Sequence, residues 1–102
     1  MIEYKEAVIT DAELLIDMQS MRNALIDNIG RVHTTEMGIG RIKRNLGLGD
    51  IDVVEWCRER ILDKSAIIEK NGKNWYVMID DIVITVNASS YTIITAHKEG
   101  KR

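Results

Sequence analysis

The spacing of the hydrophobic residues changes once along this chain of 102 residues, close to position 65. Before that point, apolar residues recur every three or four positions, which predicts helices. After it, they alternate with polar residues, which predicts strands. The dipeptide Asn71-Gly72 separates two alternating segments and is typical of a tight hairpin. This order predicts an α+β fold, with three N-terminal helices packed on one face of a four-stranded antiparallel β-meander.

The first two predicted helices have recognisable ends. Thr10 and Glu13 form a capping box, because each side chain can satisfy a free backbone N–H group at the start of a helix. Gly30 is expected to end this first helix in the left-handed conformation that glycine tolerates. Either Thr34 or Thr35 can then cap a second helix.

The second helix is expected to end at about Leu46, before a Gly-Leu-Gly segment that breaks the chain. Asp50 is expected to cap a third helix that ends near Leu62. The buried stripe of this helix is expected to be Val53, Val54, Cys57 and Ile61.

The predicted strands are Ala66–Lys70, Lys73–Ile79, Ile82–Asn87 and Tyr91–His97. Alternation places one face of each strand against the helices, and on the last strand it assigns Ile94 and Ala96 to the core and Ile93 to the opposite face. The opposite face, called the open face here, then collects polar side chains: Asn74, Tyr76, Thr85, Asn87, Thr95 and His97. This face is either a functional surface or an ordinary solvated sheet surface, where Thr and Tyr are favoured by β-propensity alone.

Length and composition indicate a single domain over residues 1–102, with a loose tail at 98–102. Cys57 is the one cysteine, so no internal disulfide or Cys-x-x-Cys zinc site can form. The sequence has neither a signal-peptide core nor an apolar run that could span a bilayer, which predicts a cytoplasmic protein without membrane contact. Neither a metal ion nor another cofactor is expected, because no metal-binding cluster or Gly-rich phosphate loop is present.

Charge is distributed unevenly within the net value of −2. Residues 1–30 contain two basic and six acidic side chains, and the rest contains 12 basic and 10 acidic ones. This split permits a basic working face beside an acidic flank. The basic candidates are Arg41 and Arg44, which share a helix face, with Lys43 beside them and Lys98 after the last strand. They could bind successive phosphates, or they could be the solvated side of an amphipathic helix.

The chain contains two histidines, His33 and His97. Imidazole titrates near neutral pH, so a pair can supply the general base and the general acid of metal-free RNA cleavage. Tyr76 could stack on a base from the open face, and Asn87 could add hydrogen bonds there. The alternative is that His33 is a residue of a helix start and His97 a residue of a strand end.

Two motifs carry a family resemblance. The first is His33-Thr-Thr-Glu-x-Gly-x-x-Arg-Ile-x-x-Asn-Leu46, continuing into Asp52-Val-Val-Glu-Trp-Cys57. The second comprises Gly72-Lys-Asn-Trp-Tyr-Val77, Ile84-Thr-Val-Asn-Ala88 and Ser90-Tyr-Thr-Ile-Ile-Thr-Ala-His-Lys98. Together they cover about residues 32–98 and resemble a family of short bacterial and phage-associated proteins known only as a domain of unknown function. Residues 1–31, with the first helix, fall outside the resemblance and look variable.

The helices followed by a meander ending in Thr-Ile-Ile-Thr-Ala are also similar to the barnase–EndoU–colicin–RelE group of small metal-independent RNases. In that group the last strand usually ends in Thr or Ser, and His, Arg or Lys comes from the helical part. The resemblance therefore implies roles for His33 and Arg41, and for Thr92 or Thr95. His97 departs from the pattern, because relatives often have tyrosine at its place.

These observations give one main hypothesis and two alternatives. The main one is a small, toxin-like RNase that cleaves or binds RNA, with His33 as acid or base and Arg41 on phosphate; Asn87, Thr95 and His97 complete the site. It requires the two histidines to lie within roughly a nanometre of each other on the open face. The first alternative is a non-catalytic module, such as a phage-derived inhibitor or regulator that binds a protein or nucleic acid. The second is a homodimer formed through the open face.

Overall fold

The computed structural model describes residues 24–99, which form three helical segments, one 3₁₀ turn and four strands. Residues 24–27 are helical and are called α1, and the 3₁₀ turn Ile29–Arg31 follows. The further helices are α2 (Glu36–Leu46) and α3 (Val53–Leu62). The strands are β1 (Ile67–Asn71), β2 (Asn74–Ile79), β3 (Ile82–Asn87) and β4 (Ile93–Lys98). The predicted α+β plan is confirmed; the capping box at Thr10 and Glu13 and the end of the tail lie outside the described residues.

The sheet is a four-stranded antiparallel meander in the order β1-β2-β3-β4. Gly72 has a φ of 66° in the first hairpin, a conformation that glycine adopts without the steric penalty of a Cβ atom. Asp80 has a φ of 56° in the second hairpin, and Asp is one of the few other residues that adopt this conformation readily. Both of these turns were predicted from the sequence and are confirmed.

Two adjacent threonines at the start of α2 have different roles. Thr35 is the N-cap, since its hydroxyl accepts a hydrogen bond from the Gly38 amide at 3.0 Å. Thr34 instead donates its hydroxyl to the carbonyl of Ile93 in β4 at 2.9 Å. Gly47, with a φ of 67°, ends the helix in the left-handed conformation.

Two predicted helix ends were wrong. Asp52, not Asp50, caps α3 by accepting from the Glu55 amide at 3.1 Å. A local bond from the Ile51 amide to the Gly49 carbonyl keeps Asp50 in the preceding turn. Gly30 lies inside the 3₁₀ turn, without the left-handed conformation expected of it.

The core lies between the helices and one face of the sheet. Its helical side contains the stripes of α2 and α3, in which Val53, Cys57 and Ile61 are buried as predicted and Val54 is half-buried. The sheet contributes alternate residues, as the period of two requires. These are Trp75, Val77, Ile79, Ile84, Val86, Ile93 and Ala96.

Strand β4 departs from strict alternation. Thr95 pairs with Thr85, but the next residue of β3, Val86, pairs with Ile93, so Ile94 is an extra residue opposite no partner. A bulge of this kind shifts the inward and outward pattern by one position. Ile93 is therefore 1% exposed and Ile94 is 40% exposed. The prediction that Ile94 faces the core and Ile93 the open face was wrong for this reason.

Cys57 makes the free energy of unfolding depend on pH. Burial raises the pKa of its thiol from 9.0 to about 12, although the charge of Arg60 partly opposes this. The thiol of the unfolded chain then loses its proton first, so the free energy of unfolding falls as pH rises from 9 towards 12. Relative to Cys57→Ala, the wild type should lose about 2 kcal/mol by about pH 10.5 and nothing below about pH 8. Urea unfolding of both proteins at the two pH values tests this; parallel pH dependence would contradict it.

Two glycines of α2 provide a matched test of packing. A Cβ atom at Gly38 would collide with the Thr34 hydroxyl, whereas one at Gly40 would lie 3.5 Å from Arg44 Nη1 in ordinary contact. We expect Gly40→Ala to stabilise the protein by up to about 1 kcal/mol through helix propensity. Gly38→Ala should instead destabilise it by about 1–3 kcal/mol, because Thr34 must leave the Ile93 carbonyl. Denaturant unfolding measures both, and equal stabilisation by the two changes would disprove this packing.

Candidate functional site

The segment before α2 runs parallel to the start of β4 and pairs with it. His33 and Thr92 form a parallel bridge, in which the His33 amide donates to the Tyr91 carbonyl at 3.1 Å and the Ile93 amide donates to the His33 carbonyl at 2.7 Å. The two paired residues are 59 positions apart in the chain. The bridge therefore brings a histidine from the helical half against a hydroxyl of the last strand.

The imidazole of His33 is exposed and held at both nitrogens. Its Nδ1 lies 2.7 Å from the carbonyl oxygen of Arg31, and its Nε2 lies 3.3 Å from Oγ1 of Thr92. A carbonyl oxygen only accepts, so Nδ1 must carry the proton. In the neutral ring, Nε2 is then a free acceptor directed at a hydroxyl, which is the arrangement that a general base needs.

Beyond Thr92, a chain of hydrogen bonds continues into the β3–β4 turn. Oγ1 of Thr92 lies 2.8 Å from Oγ of Ser90, which lies 3.2 Å from Oδ1 of Asn87. The same Asn87 oxygen accepts the amides of Ser89 and Ser90, both at 2.9 Å. Asn87 thus shapes the turn that places the Thr92 hydroxyl against His33, with the Ser90 hydroxyl behind it. We call His33, Thr92, Ser90 and Asn87 the hydroxyl relay.

Tyr91 holds the centre of this turn in an unusual conformation. Its φ is 62°, a left-handed value that costs a non-glycine residue about 1–2 kcal/mol. The residue is only 8% exposed, and its ring packs on Trp75 with the ring centroids 5.2 Å apart. This packing and the bond from the Tyr91 amide to the Asn87 carbonyl, at 2.8 Å, hold the residue there. Strain of this kind is concentrated at functional sites.

A cation lies against the same ring. Cζ of Arg31 is 4.4 Å from the centroid of Tyr91, within the range of a cation–π contact. Within residues 24–99 the Arg31 guanidinium has neither an ion pair nor a hydrogen bond, and the residue is exposed. Arg31 therefore contributes its carbonyl to orient His33 and places its positive charge at the same end of the sheet.

Arg58 on α3 fixes the backbone of the histidine segment. Its Nε and Nη2 donate to the carbonyl of Val32 at 3.2 and 2.8 Å, and Nη2 also donates to Gly30 at 3.1 Å. A planar fork can satisfy neighbouring carbonyls in this way, while a lysine ammonium cannot match its geometry. Sequence reasoning missed Arg58, Arg31 and Ser90, because nothing local to them indicates a contact across the fold.

His97 and Thr95 lie elsewhere on β4. Thr95 is paired with Thr85, and His97 is exposed and paired with Val83. His97 is five residues beyond Thr92, and five strand residues span on the order of 15 Å. The predicted approach of the two histidines to within about a nanometre is therefore wrong. Of the two strand threonines that the RNase resemblance offered, the structure places Thr92 against His33.

The predicted basic residues lie on α2 and at the end of β4. Asn45 donates to the Ala96 carbonyl at 3.2 Å, and Arg41 precedes it by four positions, so exposed Arg41 is on the flank of α2 that faces β4. Arg44 is exposed one turn further along that helix, Lys43 lies on another face, and Lys98 is exposed at the end of β4. Their contacts with nucleic acid stay predictions.

The open face is less polar than expected. Tyr76 lies there half-buried opposite Thr85, and its phenolic oxygen accepts a long hydrogen bond from Asn74 at 3.4 Å. The next row of paired residues on this face runs across β1, β2 and β3 and is apolar. Its member Ile67 is 58% exposed. The residues of this row, called the apolar row, are Ile67, Met78 and Val83.

Within residues 24–99, no three side chains of the metal-binding types lie together. No helix there has both the length and the apolar character needed to cross a membrane.

Residues 26–97 match a family described as "Protein of unknown function (DUF3781)". The matched residues include the hydroxyl relay, Arg31, Arg58 and both sequence motifs except Lys98. No curated protein matches the chain, and no solved structure matches it.

The role of Arg58 can be tested without removing its charge. Arg58→Lys should lose the hydrogen bonds of the guanidinium to the Val32 and Gly30 carbonyls and loosen the segment that carries His33. We expect amide hydrogen exchange at His33 and Ile93 to accelerate at least about tenfold, with a loss of about 1–2 kcal/mol in stability. Arg60→Lys on the same helix is the control, and equal exchange in the two variants would show that Arg58 does not hold the segment.

Proposed function

The chain belongs to the family described as "Protein of unknown function (DUF3781)", and because that description gives no activity, we propose one from its site: metal-independent cleavage of RNA at His33. One observation carries the proposal. The exposed imidazole has its tautomer set by the Arg31 carbonyl and directs its free nitrogen at a hydroxyl. A base held in this way is what abstraction of a 2′-hydroxyl proton requires.

The reaction is an internal transfer at phosphorus. Nε2 of His33 takes the proton of the ribose 2′-hydroxyl, and the 2′-oxygen bonds to the adjacent phosphorus. The bond from phosphorus to the 5′-oxygen of the next nucleotide breaks, leaving a 2′,3′-cyclic phosphate. The contact of His33 with Thr92, at 3.3 Å, is long for a hydrogen bond, so the substrate hydroxyl can replace it.

The two hydroxyls of the relay suit the phosphate of this substrate. Thr92 and Ser90 lie 2.8 Å apart beside the base and can each donate to a non-bridging oxygen. Such donors are effective when they are held in place before the charge develops, and Asn87 holds this turn. A threonine or serine at the last strand is also what the resemblance to the small RNases implies.

Water supplies the proton of the leaving 5′-oxygen in this proposal. His97, the expected acid, lies on the order of 15 Å along β4 from the base. The exposed position of His33 leaves the site open to solvent. The reaction then depends on one histidine, His33.

A second function is favoured by the apolar row on the open face. Ile67 is 58% exposed, and on the same side of β4 Ile94 is 40% exposed. Exposed apolar side chains clustered on a sheet face are typical of contact surfaces. This observation supports the alternative of an interaction module, which binds a protein partner or a second copy through that face.

The chain offers a matched pair of histidines for testing cleavage. Total tRNA is incubated with the wild type, His33→Asn and His97→Asn in the presence of a chelator. We expect His33→Asn to lose at least about 100-fold in rate, as for loss of a general base, and His97→Asn to stay within about twofold. Intact tRNA with the wild type, or an equal loss in both variants, would defeat the proposal.

The chemistry is checked on a defined oligonucleotide with one ribonucleotide among deoxynucleotides. Cleavage should occur only after that ribonucleotide and leave a cyclic phosphate, because the 2′-hydroxyl is the attacking group. Cleavage of the all-deoxy strand would point to a different reaction.

A further inference from the structure

We infer that the Arg31 guanidinium, held on the Tyr91 ring, binds a phosphate group of a single-stranded RNA next to His33. This inference rests on the proposed function and specifies how the same site takes its substrate. Its basis is the stack of Arg31 on Tyr91, with Cζ 4.4 Å from the ring centroid, at the turn that carries the hydroxyl relay.

Arg31 and the proposed base, His33, are close in the sequence and are held by the same residue. Only Val32 separates Arg31 from His33, so their Cα atoms can be at most about 7 Å apart. Both residues are tied to Tyr91, His33 through its amide bond to the Tyr91 carbonyl and Arg31 through the ring. The cation and the base therefore belong to one rigid unit and keep their separation when a substrate arrives.

No group within residues 24–99 uses the hydrogen-bonding capacity of the Arg31 guanidinium. It makes no hydrogen bond or ion pair within residues 24–99, while the donors of Arg58 are used on backbone carbonyls. Stacking on Tyr91 restrains the long side chain before any ligand binds, so less conformational entropy is lost on binding. A planar fork restrained in this way is suited to paired hydrogen bonds with phosphate oxygens.

The groups around Arg31 favour an anion with several oxygens. The hydroxyls of Thr92 and Ser90 can donate from the same turn, and no acidic side chain belongs to the relay or to the bridge with β4. Neutral and cationic donors at one turn match the non-bridging oxygens of a phosphodiester. Tyr91 accordingly acts as a positioning residue, whose left-handed backbone turns its ring under the guanidinium.

A second stacked arginine supplies a matched control. Arg60 on α3 lies over the Trp56 ring, with Cζ 4.8 Å from the centroid, and approaches Glu59 at 3.8 Å. It has the same kind of aromatic contact and the same charge as Arg31, without a neighbouring histidine or hydroxyl pair. Replacing it removes one positive charge from the protein but nothing from the site.

The test is binding of a fluorescent single-stranded 2′-O-methyl oligonucleotide, which has no free 2′-hydroxyl and so cannot be cut. Anisotropy titrations at several salt concentrations compare the wild type with Arg31→Ala and Arg60→Ala. We expect Arg31→Ala to weaken binding about 10–100-fold and to reduce the slope of log affinity against log salt by about 0.7, the value for one phosphate contact. Arg60→Ala should stay within about twofold with an unchanged slope.

Arg31→Lys serves as a second variant, since it retains the charge if Arg31→Ala fails to fold. It should keep the salt slope and still lose several-fold in affinity, because the ammonium lacks the fork. If the wild type binds but Arg31→Ala and Arg60→Ala have the same affinity and slope, the inference is overturned and cleavage at His33 is untouched. If the wild type neither binds this strand nor cleaves tRNA, the proposed function and the inference both fall.

Discussion

The parallel bridge between His33 and Thr92 is the constraint on which the arrangement of this protein depends. It ties the segment before α2 to the outer edge of β4 through two backbone hydrogen bonds, and Thr34 and Asn45 bond further along the same edge. An uncovered edge strand would present free N–H and C=O groups to other chains. Covering this edge also determines where the histidine of the helical half lies, so one set of bonds covers one edge of the sheet and assembles the candidate site.

The fold was predictable wherever a single local signal decides the structure. The change from helical to alternating spacing and the Asn71-Gly72 turn correctly indicated the meander, since each depends only on neighbouring residues. Strand β4 was misread, because two adjacent isoleucines satisfy either face equally well. The bulge that buries Ile93 and exposes Ile94 follows from the pairing with β3, which the sequence of one strand does not contain.

The site was predictable in part, for a similar reason. His33 could be singled out by its chemistry, and the resemblance to small RNases offered Thr92 as one of two threonines. The residues that organise them are far from their partners in the sequence. Arg58 bonds to Val32, 26 positions away, and Thr34 bonds to Ile93, 59 positions away. The backbone conformation of Tyr91 was not predictable either. Its left-handed φ is imposed by the ring packing on Trp75 rather than by a residue preference.

The hydroxyl relay explains how one histidine can take up a proton without a second titratable partner. In neutral His33, Nε2 accepts from Thr92, whose oxygen accepts from Ser90. Once Nε2 is protonated and the product has left, Nε2 donates instead, and rotation of both hydroxyls lets Thr92 donate to Ser90 and Ser90 to the Asn87 oxygen. Each polar atom keeps a partner in both states, so neither state leaves an unpaired group that would oppose the proton transfer. A base supported in this way can release its proton to water from its exposed position, so the proposed cleavage does not require His97.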